Sequence, residues 1–502
     1  HYYKIVNMKS SEKMTITIIA NLLSIAVSVF VSFFITQYFV EFVGKEAYSY
    51  YPIATNFSTY FSILFVITST VSSRLVIVNY LNKNTQEAKE YYSTTFLSCV
   101  IISVFIFLVE MFFYSNLTSI INVSNELLHD VKLLFLYIFL ATICNGICAV
   151  FNISYYVKDR MDLYGVSLII ESLVKGILMM YIYLSRKVSL ASLGLIVFLS
   201  TIVRSLFSMF VSIKEMNDIK LDLKLISKSK FKKIFNLGVW SIISNSGNLL
   251  IINSELIIAN RTLPIEESSI LSLVQPIMTM CLLLGNTITS MAEPIMIRGV
   301  INDDQKEVNV ATNAIVGLII IPIVLIMCLN KQLYSLWLPN EDSSKLFVLT
   351  FLICLQLLIS FIAYENSSTI TTLLKEKIKG IGFIFTLIDY ILLLKISGNL
   401  FTFTNELILA CGIVAYLLYF VIYIPVTSKK LLINTNKLVR INNLKKTKFT
   451  VVLIISNLLI SVFFPLNNLL MFVLMSAICA VLDYMLFIIS FKIDLLKLIK
   501  KQ

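Results

Sequence analysis

Residues 162–213 read DLYGVSLIIESLVKGILMMYIYLSRKVSLASLGLIVFLSTIVRSLFSMFVSI. Two apolar segments are joined here by a short turn, and each is long enough to cross the roughly 30 Å hydrocarbon core of a bilayer as a helix. Three charges interrupt them. Glu171 and Lys175 lie four residues apart in the first segment, so they share a helical face and can pair. Arg204 sits midway along the second, with no acid within a helical turn of it. A charge at membrane depth costs at least about 2.5–3.5 kcal/mol, so it faces a bundle interior or a wet cavity. Two readings follow. The three side chains line an internal, water-accessible cavity, or Glu171 and Lys175 neutralise each other as a buried structural pair.

The same apolar pattern recurs along the whole chain of 502 residues, of which 58% are hydrophobic and only 14% charged. The expected fold class is an all-α polytopic membrane protein with about 14 transmembrane helices. The period-two alternation of a membrane barrel is absent. Candidate spans are 15–40, 48–72, 92–115, 132–153, 163–184, 189–213, 235–260, 268–296, 309–330, 346–372, 381–397, 405–427, 449–465 and 468–490. The net charge of +12 lies in short loops between spans, which points to positive-inside topology and not to nucleic acid. With the N-terminus inside, roughly thirty Lys and Arg fall on the cytoplasmic side against about eight outside, which places both termini in the cytoplasm. The eight cysteines all fall in apolar segments and read as small, inert packing residues. No cleavable signal peptide is expected.

An internal repeat sets the organisation. ITSTVSSRLVIVNYLNKNTQEAKEYYS starts at Ile67 and ITSMAEPIMIRGVINDDQKEVNVATN at Ile288; VKDRMDLYG starts at Val157 and LKEKIKGIG at Leu374. The common offset is roughly 220 residues, or six spans, so both copies have one orientation, as in parallel-repeat transporters. The expected domains are an N-lobe at 1–213, a basic amphipathic cytoplasmic linker at 214–234, a C-lobe at 235–427, a basic cytoplasmic loop at 428–448, and an extra helix pair with a basic tail at 449–502. The linker lies on anionic lipid or is a solvated connection.

This layout resembles the flippase and exporter superfamily that contains the multidrug-and-toxin extruders, the lipid II flippase, and the O-antigen and capsule repeat-unit flippases. The stretch SSRLVIVNYLNKNTQEAKEYYST after the second span and Leu-Trp-Leu at 336–338 look most like the polysaccharide branch. The resemblance implies two six-helix lobes rocking about a central cavity. It also implies a polyprenyl-diphosphate-linked oligosaccharide, moved from the inner to the outer leaflet of the bacterial cytoplasmic membrane. Other expected partners are membrane lipids and other polysaccharide-assembly proteins.

A diphosphate in hydrocarbon requires cations, and Arg binds phosphate oxygens in pairs where Lys is a point charge. The candidate diphosphate ligands are Arg74, Lys175, Arg204 and Arg298. Arg74 and Arg298 end equivalent helices of the two copies and read equally as ordinary interfacial anchors. The intramembrane acids Glu255, Glu365 and Asp389 are candidate ion-coupling residues, matching by position the carboxylates of ion-coupled relatives. Glu255 also reads as a salt-bridge partner of Arg261, and Asp483 is a further acid, in the last span. No cofactor is expected beyond a coupling ion, Na⁺ or H⁺. No ATPase phosphate loop and no catalytic constellation is present, so the chain does not read as an enzyme. The alternatives are a cation-coupled drug extruder, favoured by Glu255 and Glu365, and a membrane glycosyltransferase or polymerase. A cavity for cationic drugs would be net acidic, which Lys175 and Arg204 oppose.

Overall fold

The computed structural model describes residues 10–65, 68, 72–158, 160–186, 188–216, 218–301, 305–364, 367–368, 370, 376–431, 436–463 and 469–491. Among these residues the chain is helical, with no strand. Eleven helices are long and apolar enough to cross a membrane. Among the described residues, helices Lys45–Ser62, Lys228–Thr262 and Asn436–Phe463 cover most of the other three expected spans, 48–72, 235–260 and 449–465. The chain is a multi-pass all-α membrane protein, and it divides into two compact units, His1–Ser272 and Leu273–Gln502.

The first unit contains α1 (Ser10–Val43), α2 (Lys45–Ser62), α3 (Ser72–Leu81), α4 (Thr85–Ser115), α5 (Leu128–Cys148), α6 (Met161–Ser185), α7 (Leu190–Glu215), α8 (Lys228–Thr262) and α9 (Ile265–Ser272). The turn between α6 and α7 ends in a capping box. The Ser189 hydroxyl accepts from the Ser192 N–H at 3.2 Å, and the Ser192 hydroxyl accepts from the Ser189 N–H at 3.1 Å. Two orphan donors are thereby satisfied where α7 begins. Small residues let the helices approach closely, as packing in membranes favours. A Cβ on Gly165 of α6 would lie 3.0 Å from the Ala20 backbone of α1, and one on Gly194 of α7 would lie 3.0 Å from the Leu134 backbone of α5.

The stretch between α7 and α8 is docked on protein. Met216, Ile219 and Ile234 are buried in one cluster with Val76, Tyr91, Tyr92 and Cys99. The Asp222 N–H donates to the Ser93 hydroxyl at 3.0 Å, the Ser227 N–H donates to the Thr94 hydroxyl at 3.2 Å, and Lys230 pairs with Glu90. Met216, Ile219, Leu221 and Ile234 of the linker face this core, while Leu223 and the lysines 220, 224 and 228 are exposed.

The second unit contains α10 (Gln275–Ile301), α11 (Gln305–Ile315), α12 (Ile321–Trp337), α13 (Ser343–Ile362), α14 (Glu376–Leu400), α15 (Asn405–Leu417), α16 (Ile424–Leu431), α17 (Asn436–Phe463) and α18 (Leu469–Phe491). A π-helical stretch, Val316–Ile320, joins α11 to α12. Pro322 has no N–H, so in the π register the Gly317 carbonyl loses its donor. The Tyr484 hydroxyl of α18 donates to that carbonyl at 2.7 Å. On α17, Lys446 is fully buried and donates to the Ile362 carbonyl at the end of α13 at 2.7 Å. That places a cation on an orphan carbonyl at a helix C-terminus. Lys446 lies in the stretch 428–448 expected as a basic cytoplasmic loop, and here it is on a helix. Asp483 is also buried, and both its oxygens accept from the Asn457 amide at 3.1 and 2.9 Å, tying α18 to α17.

A contact recurs in the two units with its partners exchanged. Gly146, at the end of α5, faces the Phe65 ring, where a Cβ would come within 1.9 Å of Cζ. Gly285 of α10 faces the Phe361 ring of α13, again at 1.9 Å. Gly146→Ala and Gly285→Ala are each expected to destabilise by about 1–3 kcal/mol through overpacking, read as a lowered melting temperature in detergent. Phe65→Leu should recover part of the first loss and Phe361→Leu part of the second; loss without recovery would place the clash elsewhere.

Candidate functional site

The three membrane-depth charges of residues 162–213 converge. Lys175 Nζ lies 2.9 Å from Glu171 Oε1 within α6, and Arg204 Nη1 of α7 lies 3.1 Å from Glu171 Oε2. Arg204 therefore has an acidic partner after all, supplied by the neighbouring helix. One carboxylate serves two cations, so the group keeps a surplus of one positive charge. The side chains of Glu171, Lys175 and Arg204 retain 14%, 24% and 16% exposure. The Arg204 guanidinium also sits 5.8 Å from the centre of the Tyr164 ring. One turn is held by Ser172, whose hydroxyl lies 2.7 Å from that of Ser28 on α1. Chemically, a planar guanidinium and an ammonium are held in place by the acid they share.

Among the described residues, two other candidates in the first unit, Arg74 and Glu255, form no ion pair with this group. Arg74 is exposed on α3. Arg298 falls on α10, and its side chain lies outside the described residues, as does Glu365. Asp389 is half-buried on α14. Glu255 is 1% exposed on α8. Its helix is tied to α2, because the Asn56 amide donates to the Asn253 carbonyl at 3.2 Å and the Tyr60 hydroxyl to the Leu250 carbonyl at 3.3 Å. Arg261 is exposed and donates to the Asn122 side chain at 3.3 Å.

Sequence reasoning missed several buried charges. Arg160 was counted among cytoplasmic loop residues, yet it is 7% exposed. Its guanidinium reaches Asp162 through Nε at 3.0 Å and Nη2 at 3.1 Å, and Glu215 through Nη1 at 3.5 Å. It thus pins the start of α6 to the end of α7, below the triad. The neighbouring Lys158 donates to the Tyr80 hydroxyl and to Asp218 at 3.0 Å. Glu110 on α4 was also missed: it is fully buried, and neither oxygen has a hydrogen-bond partner. Among the described residues no cluster of His, Cys, Asp and Glu is suited to a metal ion.

With this geometry in hand, the comparisons with known proteins are informative. The model of the family described as polysaccharide biosynthesis protein matches residues 13–300, more than half of the chain. The chain belongs to that family. An uncharacterized membrane protein, EpsK, of Bacillus subtilis (strain 168) is 24% identical over 336 residues, covering 66% of each chain. The match thus spans slightly less than two thirds of that relative's length. Among solved structures, the lipid II flippase MurJ in an inward closed conformation aligns with a TM-score of 0.68 at 15% identity, over 94% of this chain and 97% of that one. An inward-facing multidrug resistance MATE family transporter of the MOP superfamily aligns with a TM-score of 0.67 at 13% identity, over 84% and 99%. At such identities the likeness is one of fold. The family match and the fold likeness agree on a multi-pass membrane protein of polysaccharide biosynthesis.

The pin of Lys158 and Asp218 is open to a pH test. The hydrogen bond from Lys158 holds the Asp218 carboxyl below its ordinary range. A group depressed in the folded state adds stability that is present above its unfolded value and lost as pH falls through its folded value. Asp218→Asn should therefore lower the melting temperature at neutral pH, and the gap to the natural chain should close as the medium becomes acidic. A gap that stays constant with pH would contradict the assignment.

Proposed function

We propose that this protein flips a polyprenyl-diphosphate-linked oligosaccharide from the inner to the outer leaflet of the bacterial cytoplasmic membrane. The observation that carries this reading is the Glu171–Lys175–Arg204 group, two cations to one carboxylate within membrane-crossing helices. Such an excess is costly to maintain and matches a diphosphate that must cross hydrocarbon with its charge compensated. A drug extruder for cations would place the surplus on the acidic side.

Arg74 and Arg298 are proposed as entry-side diphosphate ligands at the inner ends of equivalent helices. The lobes at 1–213 and 235–427 alternate access to the two membrane faces, with both termini cytoplasmic. The exchanged Phe–Gly contacts of Phe65 with Gly146 and of Gly285 with Phe361, near the 220-residue offset of the sequence repeat, support two related lobes. The lysine-rich linker and basic loop face anionic lipid headgroups on the cytoplasmic side. An ion gradient or the membrane potential drives the cycle, with Glu255, Glu365 and Asp389 as coupling acids and Na⁺ or H⁺ as the ion. The burial of Glu255 is consistent with such a role.

Arg204→Ala leaves Glu171 paired with Lys175, and Lys175→Ala leaves it paired with Arg204. Each variant removes the surplus charge without stranding the acid. A charge-assisted contact is worth about 1.5–3 kcal/mol, roughly tenfold or more in occupancy. In a strain that depends on this protein, each variant should reduce surface polysaccharide by about that factor at normal protein level. Unchanged polysaccharide in both would remove the triad from the mechanism. Glu255→Gln should abolish dependence on the coupling ion; retained dependence removes that acid.

A further inference from the structure

Glu110 lies on α4, within the span Thr85–Ser115, and is fully buried. Neither carboxyl oxygen has a hydrogen-bond partner. The face of α4 on which it sits is apolar over the preceding turns: Ile102 and Ile106 pack with Phe65, and Phe61, Leu64 and Phe235 close over them. One turn further on, Phe113 packs against Phe57 and Phe61 of α2. Two turns below Glu110, the hydroxyl of Ser103 is likewise buried with no hydrogen-bond partner.

The groups able to compensate a negative charge here are engaged elsewhere. On α4 itself, Tyr114 lies under the Lys132 ammonium of α5, 5.8 Å from the ring centre. The Cys144 thiol, also on α5, contacts the Ser205 hydroxyl at 3.7 Å. On α8, Arg261 reaches Asn122. No hydrogen bond or ion pair joins any of these to Glu110. Leaving an isolated carboxylate in such surroundings costs several kcal/mol or more, and a buried acid avoids that cost by taking up a proton.

We propose that Glu110 is a proton-binding site of the transport cycle, loaded in the conformation described here. The occupant is a proton and not a metal cation. A hard cation stripped of water needs several oxygen ligands, and Glu110 offers one carboxyl with no other oxygen in hydrogen-bond reach. A proton needs the carboxyl alone. Release follows when movement of α5 or α8 against α4 wets the site: the proton leaves as H⁺ to water, and the carboxylate takes a proton back from water before the site closes again. A carboxyl that served packing alone would be served better by an apolar side chain of similar length. The proposal rests on the flippase reading for its role in transport, but its proton occupancy does not.

The test uses the full-length protein in lipid, with Glu110→Gln and Glu110→Met as variants. Infrared difference spectra at neutral pH should show a protonated-carboxyl C=O band in the natural chain that is lost in both variants. Met fits an apolar site of this size, so it keeps the variant folded if Gln does not. In the dependent strain, both variants, present at normal level, should lower surface polysaccharide at least tenfold. An unchanged band would show that Glu110 holds no proton and would overturn the proposal. A lost band with normal polysaccharide in Glu110→Met would make the acid a packing residue and would equally overturn it. If deleting the gene leaves lipid-linked saccharides untouched, the flippase reading fails while the infrared result still decides the proton site.

Discussion

One carboxylate shared by two cations is the constraint on which the first unit turns. Glu171 holds Lys175 on its own helix and Arg204 on the next, at 2.9 and 3.1 Å. Without the acid, the two like charges would face each other at membrane depth, where desolvation is expensive. With it, they are fixed in place and one positive charge remains. The surrounding architecture preserves that geometry. Glycines 165 and 194 bring α6 onto α1 and α7 onto α5, the Ser189–Ser192 box sets where α7 starts, and Arg160 clamps the opposite ends of α6 and α7.

One set of helix ends in the first unit is held by polar pins that recur in the motifs of the sequence. The stretch 87–94, EAKEYYST, begins the third span, and its Glu90, Ser93 and Thr94 are the residues that seize the linker before α8. VKDRMDLYG supplies Lys158, Arg160 and Asp162 to two neighbouring pins. These motifs are therefore structural devices where the chain turns back toward the membrane. Their chemistry suits that place: charge-assisted hydrogen bonds at a wet interface fix helix ends without the desolvation cost of the bilayer interior.

The helical class and the span pattern were legible in the sequence because twenty-residue apolar runs have few other meanings. Glu171 and Lys175 were legible as a pair because four residues separate them on a helix. Arg204 was visible as a misplaced charge, but its partner came from another helix, which spacing along one chain does not reveal. Arg160 and Lys446 were misjudged for one reason: a cation near a span end looks like a topological anchor, and its burial depends on packing of distant segments. Glu110 escaped notice because a single acid near the C-terminal end of a span carries no local pattern. Only its enclosure and lack of partners mark it.

The most direct measurement of the central claim is the sidedness of polyprenyl-diphosphate saccharides in membranes from a strain lacking this gene. Complete repeat units accumulating on the cytoplasmic leaflet, and cleared when the natural gene is returned, are the expected result: synthesis is intact and translocation is missing. Lipid-linked units normal in amount and sidedness, with raised sensitivity to cationic drugs, would contradict the account and assign the fold to drug export.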